Sequence, residues 1–344
     1  MIAEIRLQQF RSYPDKTFKL SSGLNVVVGP NASGKTNLLE AIMVICTGNS
    51  FRAPDNELVM YGKQWSRIDA KTSQGNRTLK LTTTNKEFLL EGKSHKNLNH
   101  NTQIPLVLFE PYHLLMISGA PELRRNYLDG VLDSIQPDYK KIRKNYHRTL
   151  RQRNTLLKKG HINNNELFPW NVRLSQIGGI IANSRAKLIT KLNETLTESY
   201  QKISDGKEKI TLKYKTNIDL SNYESQLVRK LEQTIDLDLI KGFTMYGPHR
   251  EDMKILVNNK DPNLFYSRGE TRTLVVALKI SELKTVSLIK KDPIILLDDV
   301  FSELDSKRQQ ALAAFLSTNT QSLITTTEIN NNNLHKKGVI IKTT

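Results

Sequence analysis

The chain has 344 residues, with 51 Lys and Arg against 34 Asp and Glu, a formal charge of +17, and a single cysteine, Cys46. That length can bury a core large enough for two lobes. The charge favours a polyanionic partner, nucleic acid before an acidic membrane surface, and one cysteine excludes a disulfide framework or a Cys-rich zinc site. Met1-Ile2-Ala3-Glu4-Ile5-Arg6 lacks a basic-then-apolar leader, and no apolar run approaches the roughly 18 residues of a membrane span. The expectation is a soluble cytoplasmic protein with no membrane partner.

Residues 2–10 alternate as a strand, and Phe10-Arg11-Ser12-Tyr13 leads to a second strand ending near Leu20. Ser21-Ser22-Gly23 turns the chain into Leu24-Asn25-Val26-Val27-Val28, a buried strand. The next residues, Gly29-Pro30-Asn31-Ala32-Ser33-Gly34-Lys35-Thr36, fit the P-loop pattern G-x-x-x-x-G-K-[ST], and residues 35–46 carry apolar side chains at helical spacing. Strand, glycine loop and helix is the arrangement in which inward amides and a helix N-terminus cradle phosphates. Lys35 then reaches the β- and γ-phosphates, and the Thr36 hydroxyl can ligate Mg²⁺. A glycine-rich turn matching by chance would not bring both flanks with it, so a nucleoside triphosphate is the expected ligand.

Residues 65–90 alternate with period two and read as exposed antiparallel strands; Ile104-Pro105-Leu106-Val107-Leu108-Phe109 is an apolar strand ended by Glu110-Pro111. The character changes near Gly119, and from Glu122 to about Tyr200 the pattern is helical. Within 139–151, Tyr139, Ile142, Tyr146 and Leu150 share one helical face, while Lys140, Lys144, Arg148 and Arg151 share the opposite one. Between Arg124 and Lys159 stand eleven Lys and Arg against three Asp. A charged helix face is ordinarily a solvated one; the competing reading is a face that contacts DNA phosphates, and the residues leave both open. A strand over 209–215, a helix over 221–235, and strands over 242–247 and 253–257 follow.

Ser267-Arg268-Gly269-Glu270 heads a helix running from Thr271 to about Lys290. A small hydroxyl, a glycine permitting close backbone approach and a helix dipole make this a second anion cradle. Pro293-Ile294-Ile295-Leu296-Leu297-Asp298-Asp299 is a buried strand ending in two carboxylates, the Walker B pattern that a P-loop requires. Asp298 would orient Mg²⁺, and Asp299 stands where a general base could polarise the attacking water. Ser302-Glu303-Leu304-Asp305 opens a helix with Ser302 as its N-cap; residues 322–326 form a last buried strand, Asn330–Asn333 a polar loop, and 339–342 the closing strand. One nucleotide needs one cradle. Two cradles make sense if two copies of the chain pair and each presents its Ser267 loop to the other's nucleotide. The resulting fold class is α/β, with a mixed sheet, an antiparallel β subdomain and a mostly helical stretch after Gly119.

The order Walker A, Ser-x-Gly-Glu signature, Walker B and Ser-Glu-Leu-Asp D-loop resembles that of the ABC-type ATPases in the SMC and RecF group. Phe10–Tyr13, Gly29–Glu40, Ser50-Phe51-Arg52, Glu122-Leu123-Arg124-Arg125, Gln136–Tyr139, Tyr246-Gly247-Pro248-His249-Arg250 and Leu296–Asp305 resemble the RecF family nearly end to end. The resemblance implies a P-loop ABC-type ATPase lobe built from both chain ends, 1–118 and 241–344, with a mostly helical lobe, 119–240, inserted between. It implies a head-to-tail homodimer around two ATP molecules, and DNA binding by that dimer at gaps or single-strand/double-strand junctions. It also implies action with RecO and RecR to place recombinase on gapped DNA coated by single-strand-binding protein. By the same resemblance Gly29, Pro30, Asn31, Ala32, Ser33, Gly34, Lys35 and Thr36 bind ATP, Thr36 and Asp298 serve Mg²⁺, Ser267 and Gly269 contact the partner's γ-phosphate, and Arg11 approaches the phosphates. Three departures stand out. Asp299 occupies a position where most ABC ATPases carry Glu; it is one methylene shorter, which predicts slow hydrolysis and ATP acting mainly as a dimer switch. Thr325-Thr326-Thr327-Glu328 replaces the usual switch histidine, and no Q-loop glutamine is evident, Glu110 being its positional counterpart. The alternatives are another ABC-type repair or chromosome ATPase, and a metabolic P-loop kinase, which would need neither the signature nor the charge. An excision ATPase of the zinc-binding kind needs cysteines, and a full SMC protein needs sustained heptads; this chain has neither.

Overall fold

In the computed structural model, which describes residues 1–159, 164–300, 304–316, 320–327 and 338–343, the N-terminal alternation folds as β1 (Ile2–Phe10) paired antiparallel with β2 (Tyr13–Lys19). A register shift between Ile2 and Glu4 lets Ile2 and Ile5 both face inward, and Leu7 continues that face. β3 (Leu24–Val28) then feeds the glycine loop and α1 (Lys35–Thr47). The strands β4 (Trp65–Thr72), β5 (Gly75–Thr82), β6 (Lys86–Leu90) and β7 (Lys93–His95) extend the first hairpin into an antiparallel sheet of order β2-β1-β4-β5-β6-β7. β8 (Leu106–Phe109) belongs to a second sheet. One core joins α1 to residues of both sheets: Leu38, Leu39, Ile42 and Ile45 of the helix cluster with Ile5, Leu7, Ile68 and Leu79 on one side and Val27, Leu296 and Leu323 on the other. A helix apolar on so many sides is stable only when covered this way.

The chain divides into two compact units: Met1–Leu114 with Glu198–Lys207 and Tyr266–Thr344, and Leu115–Thr197 with Glu208–Phe265. The second unit contains α2 (Leu115–Ser118), α3 (Pro121–Ile135), α4 (Tyr139–Leu157) and α5 (Asn164–Ser204), whose residues from Glu198 onward group with the first unit. β9 (Ile210–Lys215), α6 (Tyr223–Gln233), α7 (Ile235–Lys241) and β10 (Asp252–Val257) complete it. Its core contains buried ion pairs. Arg185 forks Asp129 at 2.8 and 2.9 Å and also donates to the Pro248 carbonyl at 2.7 Å. Fully buried Arg153 donates to Asn171, Asp238 and Thr244.

The first unit resumes with α8 (Arg268–Ser287), β11 (Ile294–Leu297), α9 (Ser306–Leu316), β12 (Ser322–Thr326) and β13 (Gly338–Lys342). The second sheet is parallel, in the order β13-β3-β12-β11-β8. Among the described residues no helix is long and apolar enough to cross a membrane.

The compact units divide at 114/115 and 265/266, near the 118/119 and 240/241 expected for the lobes, and β10 pairs antiparallel with β9 from Asp252 opposite Lys215 to Val257 opposite Ile210. Three sequence expectations are corrected. Residues 242–247 are not a strand: Gly242 ends α7 in the left-handed region, and Gly247 has φ 127. The helix expected over 221–235 is two, α6 and α7, after a short 3₁₀ turn at Leu220–Asn222. Ser302 and Glu303 lie outside the described residues, as do Glu328 and Asn330–Asn333; α9 starts at Ser306, where Asp305 accepts the Arg308 amide at 2.9 Å and acts as the cap.

Candidate functional site

The glycine loop leaves the C-terminal end of β3 and closes on α1. Gly34 is the N-cap of α1 at φ 94, with no side-chain cap, so the first-turn amides remain available to an acceptor. A Cβ on Gly34 would lie 2.8 Å from the Tyr13 hydroxyl and 2.9 Å from Ser12 Oγ, which makes glycine obligatory. Ala32 is also left-handed, at φ 64. Ser33 Oγ and Thr343 Oγ1 share a hydrogen bond of 2.6 Å beside Gly29, leaving no room for a Cβ there either. Lys35 is buried, and its Nζ donates to the Gly29 and Pro30 carbonyls, each at 2.8 Å. Pro30 and Asn31 are exposed on the loop between.

Strand order brings the carboxylates to this loop. β3 carries the P-loop, β11 carries Asp298 and Asp299, and β12 lies between them. Thr36 Oγ1 donates to Asp298 Oδ1 at 3.0 Å. Thr325 Oγ1, near the end of β12, donates to the same Oδ1 at 2.8 Å and accepts the Asp299 amide at 2.8 Å. Asp299 is held at φ 51, in the left-handed region unusual for a non-glycine residue. Thr325 is the residue whose task the sequence reading missed. It was visible only as the substitute for a histidine; its position on the strand between the two motifs gives it both bonds.

The donor set fits Mg²⁺ carried by a polyphosphate. Mg²⁺ commonly takes one or two protein oxygens and completes its shell with phosphate and water, and Thr36 and Asp298 supply those oxygens side by side. No cluster of three or more His, Cys, Asp or Glu that could hold a metal unaided occurs among the described residues. Glu110 follows β8; burial raises its carboxyl pKa, with Lys279 and Arg52 opposing and Asp298 reinforcing the shift. It therefore lies within electrostatic reach of Asp298, although no glutamine stands there. The Arg11 guanidinium forks the Glu40 carboxylate of α1 through Nε at 2.8 Å and Nη2 at 2.9 Å.

Ser267 caps α8 in a capping box. Glu270 Oε2 accepts from the Ser267 amide and hydroxyl, both at 2.7 Å, and the Glu270 amide donates back to Ser267 Oγ at 3.3 Å. These bonds hold the Glu270 carboxyl below the usual range. Ser267 is exposed, and a Cβ on Gly269 would meet only the Arg308 guanidinium, at 3.2 Å, the far end of a flexible side chain. The fold of this chain alone thus gives no reason for glycine at 269.

On α4, Tyr139, Tyr146, Leu150, Arg153 and Leu157 are buried and Ile142 is half-buried. Lys140, Lys144, Arg148 and Arg151 are all exposed, and none forms an ion pair among the described residues. The stretches Glu122–Arg125 and Tyr246–Arg250 are structural: Arg124 forks Asp252 at 2.8 Å, and His249 Nδ1 shares a 2.7 Å hydrogen bond with the Tyr146 hydroxyl while its Nε2 lies 3.1 Å from the Thr244 carbonyl. A carbonyl can only accept, so Nε2 carries a proton; burial, which lowers the His249 pKa to about 4, keeps the ring neutral near pH 7, and Nδ1 then accepts from Tyr146.

A family model described as the RecF/RecN/SMC N terminal domain matches residues 1–344. The chain is 34% identical over 346 residues to the DNA replication and repair protein RecF of Streptococcus suis, covering 97% of this chain and 94% of that protein. It is 32% identical to the protein of the same name from Lactobacillus johnsonii, covering 95% and 92%. Among solved structures, the recombination mediator protein RecF-ATPrS of the RecFOR pathway superposes with a TM-score of 0.87 at 30% identity, covering 96% of this chain and 94% of that one. The RecF-ATP form gives 0.84 at 31% identity, with coverage of 96% and 92%. An Smc head bound to a ScpA winged-helix domain gives 0.56 at 14% identity over 95% and 90% of the two chains, a likeness of fold alone.

Proposed function

Because the chain belongs to the RecF family of the RecF/RecN/SMC ATPases, we propose that it is a cytoplasmic, ATP-dependent DNA-binding protein of recombinational repair. The observation that carries the nucleotide part is the Thr36–Asp298 hydrogen bond, which joins the P-loop to the Walker B carboxylate beside a lysine already held over the loop. ATP would bind on the loop N–H groups between Gly29 and Thr36, Pro30 having none to give, and Mg²⁺ held there would neutralise charge on the phosphates. Lys35 exchanges its two carbonyl acceptors for phosphate oxygens. Thr36 and Asp298 hold the ion's protein side, and Thr325 fixes the Asp298 rotamer.

ATP closes two copies head to tail, with Ser267 and Gly269 of each set against the other's γ-phosphate. Exposure of Ser267 and the absence of any internal demand for glycine at 269 support that arrangement. Glu270 orients the serine for it. Hydrolysis is slow, because Asp299 is a short base whose backbone is fixed by Thr325, so ATP serves mainly as a dimerisation switch. The exposed, unpaired cations Lys140, Lys144, Arg148 and Arg151 contact DNA phosphates at a gap or single-strand/double-strand junction. RecR and RecO are the expected protein partners in loading recombinase there.

Gel shift on gapped duplex, with and without ATP and across salt concentrations, tests this reading. Binding has a steep negative dependence of log K on log salt, and Lys144→Ala and Arg148→Ala each reduce the slope by roughly one unit. A flat salt response would remove the DNA reading and favour a small-molecule kinase.

A further inference from the structure

Three stretches separated in sequence meet at one buried carboxylate, that of Glu40. Glu40 lies on α1 and is 0% exposed. The turn between β1 and β2 runs antiparallel along the same side of that helix: Tyr13 Oη donates to the Gly34 carbonyl at 3.0 Å, Asn37 Nδ2 donates to Ser12 Oγ at 2.9 Å, and Arg11 forks Glu40. Consecutive turn residues thus bond positions 34, 37 and 40, a three-residue step that stays on one helix stripe. Arg11 adopts φ 50, and its amide is tied to the Leu58 carbonyl at 2.9 Å, so the turn keeps a conformation that non-glycine residues rarely take. From the other side, Ser50 Oγ donates to Glu40 Oε1 at 2.5 Å and accepts the amides of Arg52 and Ala53 at 3.0 and 3.1 Å. The same loop carries Arg52, whose charge, like that of Asp298, acts on Glu110.

A buried ion pair is a weak device for stability, since an apolar pair of similar volume often serves as well. It is a strong device for fixing direction, because a fork of two charge-assisted bonds sets the plane of a guanidinium. The Glu40 fork uses Nε and Nη2 of Arg11 and leaves Nη1 outside it. We propose that Glu40 is a positioning residue for the nucleotide site: it holds Arg11 directly, and the Arg52 loop through Ser50, so that both cations face the triphosphate seated on the first turn of the same helix. The proposal rests on the triphosphate reading above. It gives the stretches 10–13, 29–40 and 50–52 one shared task.

The test is a set of ATP dissociation constants, measured with a fluorescent ATP analogue and Mg²⁺, each paired with a thermal melt. Arg11→Ala and Glu40→Gln each weaken binding about tenfold or more, the effect of losing a charge-assisted hydrogen bond. In the Arg11→Ala/Arg52→Ala background, Glu40→Gln adds less than a twofold loss, because it acts only through those arginines. If Glu40→Gln does not fold, Ser50→Ala replaces it: its smaller loss disappears in an Arg52→Ala background. A Glu40→Gln variant that melts earlier but binds ATP within twofold of the parent overturns the proposal. So does one whose loss persists in full without the two arginines, or one that binds ATP more tightly, which would make Glu40 a restraint on Arg11. A parent protein that binds no triphosphate overturns the underlying nucleotide reading instead.

Discussion

Replacing Thr325 with valine removes one hydroxyl and keeps the volume of a side chain that is 1% exposed. Two bonds go with it. The donation to Asp298 is charge-assisted, worth about 1.5–3 kcal/mol, and loss of the Thr325 acceptor for the Asp299 amide costs about 1–3 kcal/mol. The terms overlap, because Thr36 still donates to Asp298 and the amide can relax toward water. A net destabilisation of roughly 2–3 kcal/mol follows, or a drop in Tm of about 3–4 °C for a chain of this size. The functional effect is separate: Asp298 loses one of the two hydroxyls that fix Oδ1, and the left-handed Asp299 backbone loses its tether. Mg²⁺-dependent ATP affinity then falls, by roughly tenfold. Thermal unfolding by circular dichroism reads the first quantity, and titration of a fluorescent ATP analogue at several Mg²⁺ concentrations reads the second. Thr325→Ser keeps the hydroxyl and recovers most of both. Equal behaviour of Val and Ser, or a Val variant with unchanged Tm and Mg²⁺-ATP affinity, would refute the assignment of Thr325 as the link between the two carboxylate-bearing positions.

Four further outcomes are expected. Gly34→Ala forces a Cβ against Tyr13 and Ser12 at φ 94 and abolishes measurable nucleotide binding by calorimetry; retained affinity would mean that the loop does not hold the phosphates. Ser267→Arg keeps ATP binding within about twofold but loses ATP-dependent dimerisation in analytical ultracentrifugation, and a normal ATP-induced dimer would sink the composite-site reading. Arg185→Met leaves Asp129 buried with the Tyr139 hydroxyl and with Arg143 at 4.0 Å, costing about 3–5 kcal/mol in a denaturant titration; adding Asp129→Leu recovers much of it, and a failure to recover would deny that the stranded charge was the cause. Burial holds the His249 pKa down to about 4, against 6.5 for the free group, so between these values the unfolded chain binds a proton that the folded chain does not. Stability from this group is complete above pH 6.5 and declines by roughly 2–3 kcal/mol as the pH falls toward 4; His249→Asn shows a shallower decline over that window, and parallel curves would exclude the histidine as its source.

What could be read in advance was what is local in sequence. The P-loop, the four apolar residues before Asp298 and the Ser267 capping box each lie within ten residues, and their backbone geometry is set by those residues. The exposed cations of α4 are legible for the same reason, because a helix fixes which positions share a face. What escaped was long-range. Residues 242–247 carry Phe243, Met245 and Tyr246 and imitate a strand, yet contacts from α4 and α5 shape that segment: Arg153 and Asn154 bind Thr244, and Arg185 binds the Pro248 carbonyl. Arg153 could have been recognised, since it continues the buried stripe of Tyr146 and Leu150. A charged residue on such a stripe implies a buried partner, but only the fold reveals that the partner is Asp238. The pairing of β9 with β10 spans two intervening helices and leaves no mark in either strand alone.

The sheet order has a consequence for synthesis. β3 carries the P-loop and ends at Val28, yet both of its neighbours in the sheet, β12 and β13, begin at Ser322 and Gly338. At about 5–20 residues per second, a ribosome spends tens of seconds or more between making that strand and making its first partner. Through that interval the antiparallel hairpin of β1 and β2 can form, but the phosphate loop has no sheet to stand on. A nascent chain is therefore unable to assemble the loop on its sheet until β12 has been made, and a message cut short before Ser322 yields fragments that lack the assembled loop.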